Sequence, residues 1–135
     1  MLLKFLHTHQ DERPLFIDEI IDMGKVQIVR LKGPIDMYTI PNIEKLLQKA
    51  KKNQGFFKKN ILLDFKTVLH VDSSTVAMLL EVLSYIKHEH HKLALVNVSV
   101  NLKAIIDIDK LSDTFAVFES EKEALSILSG IQESS

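Results

Sequence analysis

NILLDF, KLALVNV and DTFAVF are short apolar runs, and the stretches between them carry apolar residues at helical spacing. This alternation restricts the fold more than any single motif does. A run so short and so uniformly apolar reads as a strand covered on both faces. A helix between two such strands makes a crossover, which lays the strands side by side in parallel. The chain therefore has to build helices around a largely parallel sheet.

The first part of the chain adds a different unit. LFIDEII, DMGK and VQIVRL read as strand, tight turn at Gly24 and strand, an antiparallel hairpin. KGPID then ends the pattern, because Gly33 and Pro34 both resist continuation of a strand. A helix is expected from Thr39, with Pro41 in its first turn, Ile40, Ile43, Leu47 and Ala50 inward, lysines at its end and Gly55 as its stop. In the next helix Val76, Leu79, Leu80, Leu83 and Ile86 form one apolar stripe, with Met78, Glu81, Tyr85 and His88 elsewhere around it. Ser99 caps a third helix that turns Leu102, Ile105 and Ile106 inward. Ser120 and Glu123 form a capping box for a fourth, which buries Ala124, Leu125 and Leu128. The fold class is α/β: a mixed sheet with an N-terminal antiparallel hairpin, then alternating helices and strands, four helices in all. At 135 residues the chain fits a single domain. We place it at residues 15–131, preceded by an extension, residues 1–14, that docks through Leu2, Leu3 and Phe5.

Several chemistries are disfavoured. A net charge of −1 and a pI of about 6.6 supply no long-range attraction for nucleic acid or an anionic membrane. The chain has no cysteine, so disulfides and thiolate ligands are ruled out, in keeping with a cytoplasmic protein. MLLKFL is too short for a signal-peptide core or a membrane span. His88, His90 and His91 fall at a helix end and would diverge, and His7 and His9 are only a pair, so no metal site is expected. No glycine pair has phosphate-cradling spacing, and there is no nucleophile elbow to place a serine beside a histidine. A phosphate-accepting receiver site at Asp64 lacks its partners: Asp18 and Glu19 lie inside the first strand, and Asn97 and Ser99 stand where a lysine is needed. We expect no enzyme activity and no cofactor.

The stretch HVDSSTVAMLLEVL puts Asp72, Ser73, Ser74 and Thr75 directly before the second helix. Asp72 serves as a cap, and the three hydroxyls then occupy a first turn whose amides lack intrahelical partners. Two readings stay open on these residues alone. The turn is simply polar, or one hydroxyl is phosphorylated. A phosphate adds about −1.5 to −2 charges that the helix dipole partly offsets, while a partner docked there is repelled.

From Leu15 to Leu128 the sequence resembles the STAS domain family, and within it the single-domain anti-sigma factor antagonists. VQIVRLKGPID is similar to the family's second strand with its G-x-x-D turn, here Gly33 and Asp36. ILLDFKTVLHVDSSTVAMLLEVL is similar to its strand, loop and helix carrying the Asp-Ser-Ser/Thr-Gly signature, with Thr75 in place of the glycine. KLALVNVSVNLKAIIDIDKLSDTFAVFESEKEAL follows its closing pattern, with Lys110 where a glycine often ends the third helix. The resemblance implies a partner-switching regulator. The unphosphorylated form binds an anti-sigma factor that is also a serine kinase of the GHKL type, which releases a sigma factor. The kinase then phosphorylates the domain and a PP2C-type phosphatase restores it. It implies Ser73 as the phosphoacceptor, with Ser74 as fallback, and Asp36, Asp72, Ser73, Ser74, Thr75 and Met78 as the partner-binding set. It also leaves room for an unphosphorylated STAS adaptor of a signalling complex or a membrane transport system, binding through the helix surface around Met78, Glu81 and Tyr85.

Overall fold

The computed structural model describes residues 16–52 and 58–130; the expected extension with Leu2, Leu3 and Phe5, and the expected stop at Gly55, lie outside these. The elements run β1 (Ile17–Asp22), β2 (Val26–Ile35), α1 (Ile40–Lys51), β3 (Asn60–Val71), α2 (Ser73–His88), β4 (Leu93–Val96), α3 (Val100–Ile108), β5 (Ala116–Phe118) and α4 (Glu121–Leu128). The strands form one sheet in the order β1-β2-β3-β4-β5. β1 pairs antiparallel with β2, and every later pair is parallel. Gly24 adopts φ +81 in the hairpin turn, a conformation open to glycine without steric cost. This is the mixed α/β architecture that the alternation demands.

Side chains alternate across the sheet and build two cores. On one face Val29, Leu31, Leu63 and Leu95 meet α1, α2 and α3 through Leu47, Leu79 and Leu102. On the other, Val26, Ile28, Leu62, Ala94 and Val96 meet Ala124 and Leu128 of α4, with the half-buried Ile21, Phe118 and Leu125 packed against them. The serine caps are in place at two helices: Ser99 Oγ accepts from the Leu102 N–H and Ser120 Oγ from the Glu123 N–H, each at 3.1 Å, whereas the capping box expected of Ser120 and Glu123 has only this serine half. Lys110 has φ +59 just after α3, the left-handed conformation that explains a glycine at the corresponding place in the pattern.

Three expectations are corrected. β2 does not stop at Gly33 and Pro34 but runs through them to Ile35, with register shifts at Arg30/Lys32 and Gly33/Pro34. β3 does not give way to a loop after Phe65; it continues to Val71, because the prolonged β2 pairs with it as far as Ile35↔Val71. In α2 the apolar stripe is wider than one face. Thr75, Met78, Val82 and Tyr85 are buried along with Val76, Leu79, Leu83 and Ile86, whereas Leu80 is exposed. The helix packs on the sheet with α1 on one flank and α3 on the other, so more of its circumference is covered than a single stripe supplies.

Candidate functional site

β2 and β3 run in parallel and end together, so the turns that follow them, at Asp36 and Asp72, are neighbours. Asp72 is extended, at φ −144 and ψ −171, and caps α2. One carboxylate oxygen, Oδ1, accepts from the Ser74 N–H at 2.9 Å and also from the Ser74 hydroxyl. The other, Oδ2, accepts from the Met37 N–H across the gap at 3.4 Å. Thr75 completes a capping box: its Oγ1 accepts from the Asp72 N–H at 3.0 Å and donates to the Ile35 carbonyl at the end of β2. The Ser74 hydroxyl bond, with help from the Met37, Ser74 and Thr75 amides, holds the Asp72 carboxyl below its ordinary range despite partial burial.

Asp36 organises the facing turn. Its carboxylate accepts from the Tyr38 N–H at 3.0 Å, and its carbonyl accepts from Thr39 and Ile40 N–H, each at 3.0 Å. The Thr39 hydroxyl accepts from the Asp36 N–H at 2.9 Å, instead of capping α1.

The expected site residues thus separate by role. Asp36, Asp72, Ser73 and Ser74 come together at the carboxyl end of β2 and β3. Ser74 is half-buried and committed to Asp72, and Ser73 is exposed, its hydroxyl bonded to none of the described residues. Thr75 and Met78 do not belong to a docking face, since they are only 0% and 4% exposed. Thr75 points down into the joint between α2 and β2, and Met78 packs among Ile43, Leu46 and Leu63. The helix surface expected around Met78, Glu81 and Tyr85 is likewise corrected. Tyr85 is buried and donates from its hydroxyl to the Ala50 carbonyl at 3.0 Å, leaving only Glu81 outward.

A polar cluster on the α4 face was not anticipated. Arg30 Nη1 meets Asp64 Oδ2 at 2.6 Å and Glu121 Oε1 at 2.7 Å, while its Nε lies 3.5 Å from Glu19. Asp64 is buried, and burial alone would raise its pKa. The Asn97 amide at 2.9 Å, the Lys66 N–H at 2.9 Å and Arg30 outweigh that and hold it below the usual carboxylate range. Arg30 therefore links Asp64 in the sheet to Glu121 of α4, and both Asp64 oxygens are engaged.

Among the described residues no three His, Asp or Glu side chains are grouped to hold a metal, and no helix is long and apolar enough to cross a membrane.

Comparison with known proteins places this geometry. The STAS domain family matches residues 19–124. The fold is similar to that of the anti-sigma factor antagonist SpoIIAA in its unphosphorylated form, at TM-score 0.68 and 19% identity over 85% of this chain and 98% of that one. It is similar to phosphorylated SpoIIAA of Bacillus at TM-score 0.60 and 18% identity, over 81% and 96% of the two chains. An anti-sigma factor antagonist from Mycobacterium paratuberculosis superposes at TM-score 0.69 with 20% identity, covering 84% and 94%. At these identities the likeness speaks for the shared fold.

Proposed function

Because the chain belongs to the STAS domain family, we propose that it is an anti-sigma factor antagonist controlled by phosphorylation of Ser73. It works as a binding module and not as an enzyme. Unmodified, it docks on an anti-sigma factor that is itself a GHKL-type serine kinase, and so frees a sigma factor. The covalent step passes the γ-phosphoryl of ATP to Ser73 Oγ, which loses its proton as ADP departs. Hydrolysis by a PP2C-type phosphatase returns the serine and inorganic phosphate.

One observation carries this reading. Of the three hydroxyls at the start of α2, Ser73 alone is exposed and, among the described residues, engaged with no other side chain. Ser74 and Thr75 are tied into the cap, so transfer to either would dismantle the turn that displays it. A phosphate on Ser73 sits at a helix N-terminus, where the dipole favours negative charge by ~0.3–1 kcal/mol. The fold keeps its stability, while a partner seated over the turn meets a like charge or a clash worth several kcal/mol.

Incubation with ATP and the kinase from the same cells should add one phosphate, mapped to Ser73. Ser73→Asp should bind the anti-sigma factor about a hundredfold more weakly, ~3 kcal/mol, with a melting curve like that of the unmodified chain. An unchanged mass, a phosphopeptide outside 73–75, or equal affinity of the variant would each overturn the reading.

A further inference from the structure

Helix α3 is apolar on two opposite sides. Leu102 and Ile106 are buried against the sheet and α2. On the outer side Val100, Ala104 and Ile108 recur every fourth residue, which sets them in one stripe along the helix. Val100 is 85% exposed and Ile108 77%, and Ala104 between them is exposed too. The described residues thus leave the stripe uncovered, and its large ends flank a small centre.

Such a stripe complements itself. When a second α3 lies antiparallel to the first, related by a two-fold axis through Ala104, each Val100 stands level with the other copy's Ile108. Ala104 meets its own counterpart, and its methyl group lets the helix axes approach to about 8 Å. Lys103 and Asp107 line one border of the stripe, both exposed and about one turn apart. The two-fold keeps that border on the same side in both copies. Each Lys103 then falls within ~3 Å, measured along the axis, of the other copy's Asp107. The half-buried Ile105 lies on the opposite border and meets its counterpart there. Each helix N-terminus also comes beside the other's C-terminus, as the dipoles favour. A parallel pair would instead face the charged border with Ile105. Spacing and charge agree on one occupant, a second copy of this chain.

We propose that the protein self-associates through α3 into a two-fold dimer with Ala104 at its axis. The helix is 9 residues long, so the contact is small beside a standard interface. The dimer is accordingly weak, with a Kd on the order of 100 µM. The pairing does not rest on the Ser73 reading.

The test uses the full chain and no partner. In sedimentation velocity the mean mass should climb from 15.4 kDa toward twice that value as concentration rises from about 1 µM to about 1 mM. Lys103→Asp gathers four carboxylates on one border of the dimer and should weaken association about tenfold. Adding Asp107→Lys to that variant reverses the ion pair and should restore the native affinity. Circular dichroism melts should stay close throughout, since both positions are exposed. Cross-linking gives a second measure. The chain has no cysteine, so Ala104→Cys adds a single thiol at the axis, where two copies bring their Cα atoms within disulfide range. With oxidised glutathione it should form a linked dimer severalfold faster than Lys122→Cys, an exposed position on α4. A mass that stays at 15.4 kDa throughout would overturn the proposal. Association indifferent to Lys103→Asp, or equal cross-linking of the two thiols, would overturn it too, by assigning the contact to another face. None of these results bears on the phosphorylation of Ser73.

Discussion

Thr75 is 0% exposed and its hydroxyl serves two backbone groups at once, the Asp72 N–H and the Ile35 carbonyl. The glycine of the family pattern could serve neither. Thr75→Val keeps the shape but removes the hydroxyl from the buried Ile35 carbonyl, at ~1–3 kcal/mol, and from the part-buried Asp72 N–H, at less. Urea denaturation should therefore show a clear loss of stability for Thr75→Val, and a change within about 0.5 kcal/mol for the exposed Ser73→Ala. If the two variants were equally stable, the division of labour within the turn would be wrong. The cluster of aspartate and hydroxyls was plain in the sequence, and so was its place at a helix start. Which hydroxyl faces outward was not, because the Ile35 carbonyl that draws Thr75 inward comes from a strand forty positions earlier.

At the level of elements, β2 shows why local signals mislead. Gly33 and Pro34 argue for a strand end, yet the strand continues. Among the described residues the pairing with β1 ends at Ile17↔Leu31 and the Lys32 N–H bond to the Phe16 carbonyl, so at Pro34 β2 has a described strand neighbour on one side only, where a missing proline N–H is tolerated. Gly33 takes φ +70 at the adjoining register shift, and none of the described residues lies within 4 Å of where a Cβ would stand. Gly33→Ala should thus cost only backbone strain, ~1–2 kcal/mol, read as a lowered melting temperature with unchanged spectra. A neutral substitution would mean that the strand does not need this conformation. Helix α2 was legible as a helix from its apolar spacing and its Asp72 cap. The burial of Met78 and Tyr85 was not, since it comes from α1 and α3 on its flanks, and periodicity along one helix carries no information about its neighbours.

Across the described residues, three helices cover one face of the sheet and α4 covers the other, with Arg30, Asp64 and Glu121 closing that second face. This cluster could not be read from sequence, because its members belong to three distant elements and each looks like ordinary surface charge. The Asp64 and Asp72 carboxyls are both held below the ordinary aspartate range. Groups of this kind contribute stability that is fully present above the unfolded value and is lost as pH falls through the lower folded one. Stability should therefore hold at neutral pH and decline below about pH 4. Asp64→Asn should flatten that decline in melts recorded from pH 7 to 2; an unaltered acid limb would deny Asp64 its part. The bonds from Met37 to Asp72 and from Thr75 to Ile35 have a different consequence. They weld the turns after β2 and β3 into one stiff plate, so a macromolecule landing there has little loop motion left to quench. Recognition at such a plate is set by fit and charge at contact, which is the property that the proposed switch at Ser73 requires.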